Sequence, residues 1–147
     1  MMNEHVDSIM VKNPLTLSPD SSLQEVKEIF TKNKIHHIPI TNQGVLVGLV
    51  TTYDLWKINK PFEDYGNIKV SEIMSTKVAK ITPEDKIGTA AEIFLDNRFH
   101  ALPVVDENNK LVGIVTSFDV LLYEFKKEYK NPILFKEVYE KGIEVKK

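Results

Sequence analysis

The pattern of apolar and polar positions occurs twice along the chain. Apolar residues at 23, 26, 29 and 30 have the spacing of one helix face, and the segment 87–94 repeats it. Each of these segments precedes two apolar runs of strand length, HIPIT and VLVGLVT in the first half, ALPVV and LVGIVT in the second. The pattern therefore predicts a helix followed by two strands in each half.

The repetition extends to individual residues. A shift of 64 brings the segment 6–39 onto 70–103, and one residue inserted in DENNK, relative to NQG, raises the shift to 65. GLVTTYDL at 48–55 then matches GIVTSFDV at 113–120. A match this extended indicates two copies of one supersecondary unit. We expect repeats at 6–59 and 70–125, a linker at 60–69 and a helical tail at 126–147.

Further signals complete the order of elements in each repeat. A helical turn (VDSIM or VSEIM) opens it, a short extended segment (PLTLS or VAKIT) follows, and a last helix begins at Thr51 or Thr116. Ser21 and Asp85 stand where the N-cap of the central helix is expected. Turns containing Asn and Gly predict that the two strands form a hairpin. The predicted fold is of α/β (α+β) class, two β-α-β-β-α units that pack together to complete one core.

Composition narrows the classes of function. The chain has 147 residues, 42% hydrophobic and 27% charged, which is ordinary for a globular protein. It contains no cysteine, which excludes disulfides, thiolate catalysis and cysteine zinc sites. A net charge of −2 without a basic stripe argues against nucleic acid and anionic membranes as partners. Because neither a signal-peptide core nor a run of membrane-spanning length is found, we expect a cytoplasmic protein.

The T-x-x-D segments, Thr51 with Asp54 and Thr116 with Asp119, have two compatible interpretations. Each pair suits a capping box at the start of a helix, which needs no ligand. Each also suits a ligand site. The glycine three residues earlier leaves room at the strand, the helix N-terminus presents N–H groups to a phosphate, and the carboxylate is placed to accept ribose hydroxyls. One carboxylate oxygen can cap the helix while the other faces a ligand.

These segments, together with IHHIPIT, FHALPVVD, MVKNPLTLSP and MSTKVAKITP, resemble a tandem pair of CBS domains, the cystathionine-β-synthase-type or Bateman module. The resemblance covers about residues 6–125. It implies two repeats related by a pseudo-twofold axis, with two clefts between them. It further implies regulatory binding of an adenosyl ligand (AMP, ADP, ATP or S-adenosylmethionine), no catalytic cofactor, pairing into a homodimer, and a separate client protein.

The resemblance also implies that each cleft combines residues of both repeats. One cleft combines Thr16, His36, His37 and Ile38 with Val115, Thr116 and Asp119. The other combines Lys80, His100, Ala101 and Leu102 with Val50, Thr51 and Asp54. Lys80 stands where the first cleft has Thr16, which departs from the family pattern and favours the first cleft as the adenosyl site.

The histidines and two cations admit other interpretations. His36, His37 and His100 suggest a metal site only with carboxylates clustered beside them, and the sequence shows no such cluster, so we expect packing or cleft-lining roles. Lys34 and Arg98 occupy equivalent positions before the hairpins. They either reach a ligand phosphate or are solvated cations at a helix C-terminus, where positive charge is favourable in itself.

Apolar residues lie on more than one face of the last helix of each repeat, at Trp56 and at Leu121, Leu122 and Phe125. A helix buried on two sides either packs within the chain or meets a partner, and we expect a homodimer. In the tail, the Asn-Pro pair at 131–132 suits a helix start and Gly142 its end.

Three functions compete. An enzyme needs a phosphate loop, a nucleophile with its base, or metal-ligand spacing, and none of these motifs occurs. We therefore expect no enzymatic activity. A regulatory module with an adenosyl ligand is the leading hypothesis, and a dimerisation scaffold with empty clefts is the alternative.

Overall fold

The computed structural model describes residues 2–96 and 99–130. The first repeat contains β1 (Val11–Lys12), α1 (Leu23–Lys32), β2 (His37–Asn42), β3 (Val45–Thr51) and α2 (Thr52–Lys57). The second contains α3 (Ile87–Leu95), β4 (Ala101–Val105), β5 (Leu111–Thr116) and α4 (Ser117–Glu128). Short 3₁₀ turns lie at Val6–Ser8, Phe62–Asn67 and Val70–Glu72. The predictions for Arg98 and for the tail from 131 onward lie outside the described residues.

The two predicted hairpins are confirmed. β2 pairs antiparallel with β3, and β4 pairs antiparallel with β5. The turn between β2 and β3 has positive φ at both Gln43 and Gly44, the backbone that a tight hairpin turn requires. Along β3 every second residue is buried, so one face of the hairpin meets the core.

The extended segments before the central helices are shorter than predicted. PLTLS contributes one parallel bridge, Leu17 with Ile40, and VAKIT contributes one, Ile81 with Val104. Prolines flank or follow each segment and cannot donate to a ladder, which limits the pairing. β1, which the sequence pattern did not predict, instead pairs with β5 of the other repeat.

The predicted N-caps of the central helices are wrong. Ser22 caps α1 in a capping box with Glu25, and Lys86 precedes α3 without a side-chain cap. Ser21 Oγ accepts the amide of Ser18 at 3.1 Å, and Asp85 Oδ2 accepts the amide of Thr82 at 2.7 Å. Both predicted residues therefore close the turn before the helix, a use that competes with capping.

The opening turn of each repeat packs into the core of the other repeat. Val6 is fully buried in the core cluster of the second repeat, and its amide donates to Asp85 O at 2.8 Å. Val70 is fully buried in the cluster of the first repeat, and its amide donates to Ser21 O at 2.7 Å. Tyr65, from the segment predicted as a linker, is also buried in the first cluster. Each core is thus built from both halves of the sequence.

Glycine permits a second cross-repeat contact. A Cβ on Gly48 would lie 2.6 Å from Met74 Sδ, and one on Gly113 would lie 2.6 Å from Met10 Sδ. The space at these glycines, which the sequence suggested for a ligand, is filled by a methionine from the other repeat. At the far end the hairpin turns also join, because Leu46 N donates to Asn109 O at 3.0 Å. Over the described residues, no helix has the length and apolarity needed to cross a bilayer.

Candidate ligand clefts

Two open clefts lie where the repeats meet. The Asp119 cleft has a volume of about 730 Å³ and includes Thr116 and Asp119 at the start of α4. The Lys77 cleft has a volume of about 590 Å³ and includes Thr51, at the end of β3, and Lys77. Both volumes lie in the range of small-molecule sites.

The start of α4 holds one carboxylate oxygen and leaves the other available. Asp119 Oδ2 accepts the Thr116 amide at 2.8 Å and the Thr116 hydroxyl at 2.9 Å, and the Asp119 amide donates back to Thr116 Oγ1 at 3.2 Å. The predicted capping box is therefore confirmed. Among the described residues, Asp119 Oδ1 has no hydrogen-bond or ion-pair partner, and the residue lines the cleft.

The start of α2 has the same cap but a different environment. Asp54 Oδ2 accepts the Thr51 amide at 2.8 Å, so this capping box is confirmed as well. Asp54 is only 4% exposed, and its Oδ1 lies 3.6 Å from Lys57 Nζ. Leu122 stands at the position equivalent to Lys57 in the second repeat. Asp54 is not part of the wall of the Lys77 cleft.

The first set of predicted site residues is partly gathered in the Asp119 cleft. His36, His37, Thr116 and Asp119 line it. The side chains of Ile38 and Val115 are fully buried in the two cores. Thr16 is exposed and lies outside the cleft wall. Lys34, predicted either to reach a phosphate or to be solvated, lines this cleft.

The second set is dispersed more widely. Thr51, His100 and Ala101 line the Lys77 cleft. Val50 and Leu102 are fully buried. Lys80 is exposed and donates its ammonium hydrogen to Asn109 Oδ1, away from the cleft wall.

Three histidines separate the clefts. His36, His37 and His100 each line both. Burial, helped by the nearby His36 and His100 and opposed by Asp54, lowers the pKa of His37 to about 4. His37 is therefore neutral near pH 7. Within 2–96 and 99–130, no three His, Asp or Glu side chains are grouped as metal ligands.

The sequence matches the family described as CBS domain twice, over residues 6–55 and 70–126. The chain belongs to the CBS-domain family. This CBS pair is 32% identical over 132 residues to the protein MJ1225 of Methanocaldococcus jannaschii, a match covering 82% of the chain and 47% of MJ1225. The chain thus spans about half the length of that relative. The solved structure of MJ1225 superposes with a TM-score of 0.76, over 83% of this chain and 48% of the other.

Two solved CBS pairs similar to this one contain adenosyl ligands. CBSX2 of Arabidopsis thaliana, in complex with AMP, is 25% identical with a TM-score of 0.75, over 85% of this chain and 98% of the other. The CBS pair of protein MJ0100, in complex with 5′-methylthioadenosine and S-adenosyl-L-methionine, is 30% identical with a TM-score of 0.72. That match covers 84% of this chain and 97% of the other.

Sequence reasoning missed several cleft residues of this CBS pair. Most come from the segments after the opening turns, 11–15 and 75–79. Others directly precede His36 or His100, or lie in the first turn of α2 or α4. In the Asp119 cleft they include Val11, Asn13, Pro14, Leu15, Ile35 and Phe118. In the Lys77 cleft they include Thr52, Tyr53, Ser75, Lys77, Val78, Ala79 and Phe99. Their equivalent positions in the two repeats were a usable signal.

Proposed function

We propose that this CBS pair is a regulatory module that binds an adenosyl ligand in the Asp119 cleft and signals its presence to a separate client protein. The observation that carries the proposal is that the two carboxylate oxygens of Asp119 have different roles. Oδ2 caps α4, while Oδ1 remains available at the cleft. The vicinal hydroxyls of a ribose donate hydrogen bonds that such a carboxylate oxygen accepts. We place AMP, ADP, ATP and S-adenosylmethionine in this ligand class.

The rest of the Asp119 cleft suits the other parts of such a ligand. Leu15, Ile35 and Phe118 supply apolar surface for a planar base. The first turn of α4, a helix of 12 residues, presents backbone N–H groups and the hydroxyl of Ser117 toward a phosphate. Lys34 adds one positive charge. The ligands of CBSX2 and MJ0100 support the same class.

Regulation follows from the composition of the cleft. Leu15 and His36 belong to the first repeat, whereas Thr116 and Asp119 belong to the second. A ligand that contacts both repeats favours the arrangement of repeats that it fits best. A client protein senses this change only if it distinguishes the two arrangements in binding free energy. The proposal assigns no chemical reaction to this chain, and incubation with ATP should yield neither ADP nor AMP.

The proposal includes a homodimer formed through the last helices. Trp56 on α2 is 78% exposed, Leu121 on α4 is 68% exposed, and Leu122 and Phe125 on α4 are also exposed, though less so. Several large apolar side chains exposed on a helix are typical of a protein interface. In the proposed dimer a second copy covers these exposed side chains of the two last helices.

Calorimetric titration with AMP, ADP, ATP, S-adenosylmethionine and GTP tests the proposal. Asp119→Asn keeps an oxygen for the Thr116 amide but loses the charge that the ribose needs, so adenosyl affinity should fall about tenfold or more. Asp54→Asn is the matched control and should bind as wild type. Adenosyl binding that survives Asp119→Asn would remove the ribose role. Absence of binding by all five compounds would favour a dimerisation scaffold with empty clefts.

A further inference from the structure

The two clefts differ in charge. The Asp119 cleft contains one cation and one carboxylate, Lys34 and Asp119, which balance. In the described part of the chain, no carboxylate lines the Lys77 cleft. Asp54, which the repeat would have supplied, is buried and lies beside Lys57. The described wall of the Lys77 cleft therefore contains a lysine, Lys77, with no carboxylate to balance its charge.

Lys77 is the lysine that lines this cleft and can bind an anion there. It is exposed, lines the cleft, and has no hydrogen bond or ion pair with another described residue. Two other lysines are held by partners elsewhere, Lys80 by Asn109 and Lys57 by Asp54. In the Asp119 cleft the position equivalent to Lys77 is the neutral Asn13. A lysine at this position, with no carboxylate in the same wall, is thus specific to the Lys77 cleft.

The remaining wall supplies donors and an apolar surface. Ser75 and Thr52 carry hydroxyl groups, and the imidazoles of the three shared histidines add N–H donors. Tyr53 and Phe99 contribute aromatic surface. A volume of about 590 Å³ exceeds that of a single phosphate and leaves space for an organic group.

We propose that the Lys77 cleft binds a phosphate-class anion, a phosphorylated small molecule held without a ribose contact. Its Lys77 ammonium and surrounding donors bind the anionic oxygens, and the aromatic wall contacts the organic part. The two clefts of this CBS pair then bind ligands of different chemical classes. This inference goes beyond the adenosyl proposal and stands whether or not the Asp119 cleft binds a nucleotide.

Titration of the whole chain with orthophosphate and with tripolyphosphate tests the inference. Lys77→Asn installs the residue found at the equivalent position of the first repeat. It should weaken tripolyphosphate binding about tenfold or more, the loss expected for a charge-assisted contact. Lys60→Asn removes the same charge from an exposed residue that lines neither cleft, and it should change the affinity less than about twofold because distant charges are screened by salt.

The Asp119→Asn variant separates this inference from the adenosyl proposal. It should lose AMP binding and retain tripolyphosphate binding, whereas Lys77→Asn should do the reverse. Equal affinities of Lys77→Asn and wild type for tripolyphosphate would overturn the inference. Complete displacement of tripolyphosphate from the wild-type protein by AMP would also overturn it. Amide NMR shifts add a second readout in each variant, since tripolyphosphate should perturb Ser75 and Ala101 but leave Leu15 unchanged.

Discussion

Gly113→Ala is a direct test of the cross-repeat contact. The added Cβ would lie 2.6 Å from Met10 Sδ, 3.0 Å from Met10 Cγ and 3.0 Å from Val11 O. The thioether can move, but the carbonyl belongs to β1, which is paired with β5 at Val11 and Ile114. Displacing packed backbone by a few tenths of an ångström costs about 1–3 kcal/mol. The entropy gained by restricting the unfolded chain offsets about 0.4–1 kcal/mol of that.

We therefore expect Gly113→Ala to lower the free energy of unfolding by about 1–2 kcal/mol, measured by urea denaturation. The melting temperature should fall by about 2–8 °C for a chain of this size. Gly66→Ala is the matched control, since no atom lies within 4 Å of the added Cβ and its φ is not in the left-handed region. That variant should be as stable as wild type or slightly more so.

A double-mutant cycle identifies the clash. Met10→Ala removes the sulfur, so combining it with Gly113→Ala should cost less than the sum of the two single changes, by about 0.5 kcal/mol or more. Additive effects would show that Met10 does not limit the space at Gly113. A Gly113→Ala protein as stable as Gly66→Ala would refute the packing argument altogether.

Three other predictions concern the caps, the histidines and the exposed helices. Thr116→Ala should lower the free energy of unfolding by about 1 kcal/mol in urea, since it removes the cap of α4, and Thr116→Ser should restore it. Because the pKa of His37 is about 4 when folded and 6.5 in its unperturbed state, the unfolded chain binds a proton first as pH falls. Stability should therefore decrease between pH 6.5 and 4, by about 1–2 kcal/mol after allowance for solvent screening, and His37→Gln should flatten that slope. Trp56→Glu should shift sedimentation from dimer to monomer, whereas an unchanged coefficient would place the interface elsewhere.

Local signals in the sequence predicted much of the fold. The hairpins and the caps at Thr51 and Thr116 depend on residues within a few positions of each other, and those predictions hold. The N-caps of α1 and α3 failed by one residue, because Ser21 and Asp85 bind the preceding turn instead. Neighbouring polar residues compete for the same backbone groups, and sequence alone does not decide that competition.

Contacts between distant residues account for what the sequence did not reveal. The Lys77 cleft brings Lys77 beside Thr51 and His100, and no periodic pattern links those positions. The family resemblance pointed to Lys80, three residues away, which lies on Asn109 instead. The burial of Asp54 beside Lys57 also depends on side-chain placement rather than spacing.

The exchange of opening turns separates the unit of duplication from the unit of folding. The first core lacks Val70, Ile73 and Met74 until the chain has been synthesised well past residue 55, where the first CBS-domain match ends. The second core must retain Val6 from the start of the chain until β5 has formed. A single repeat made alone should therefore fold only as a pair of copies that exchange their opening turns. The intact chain corresponds to such an exchanged pair, joined by a covalent connection.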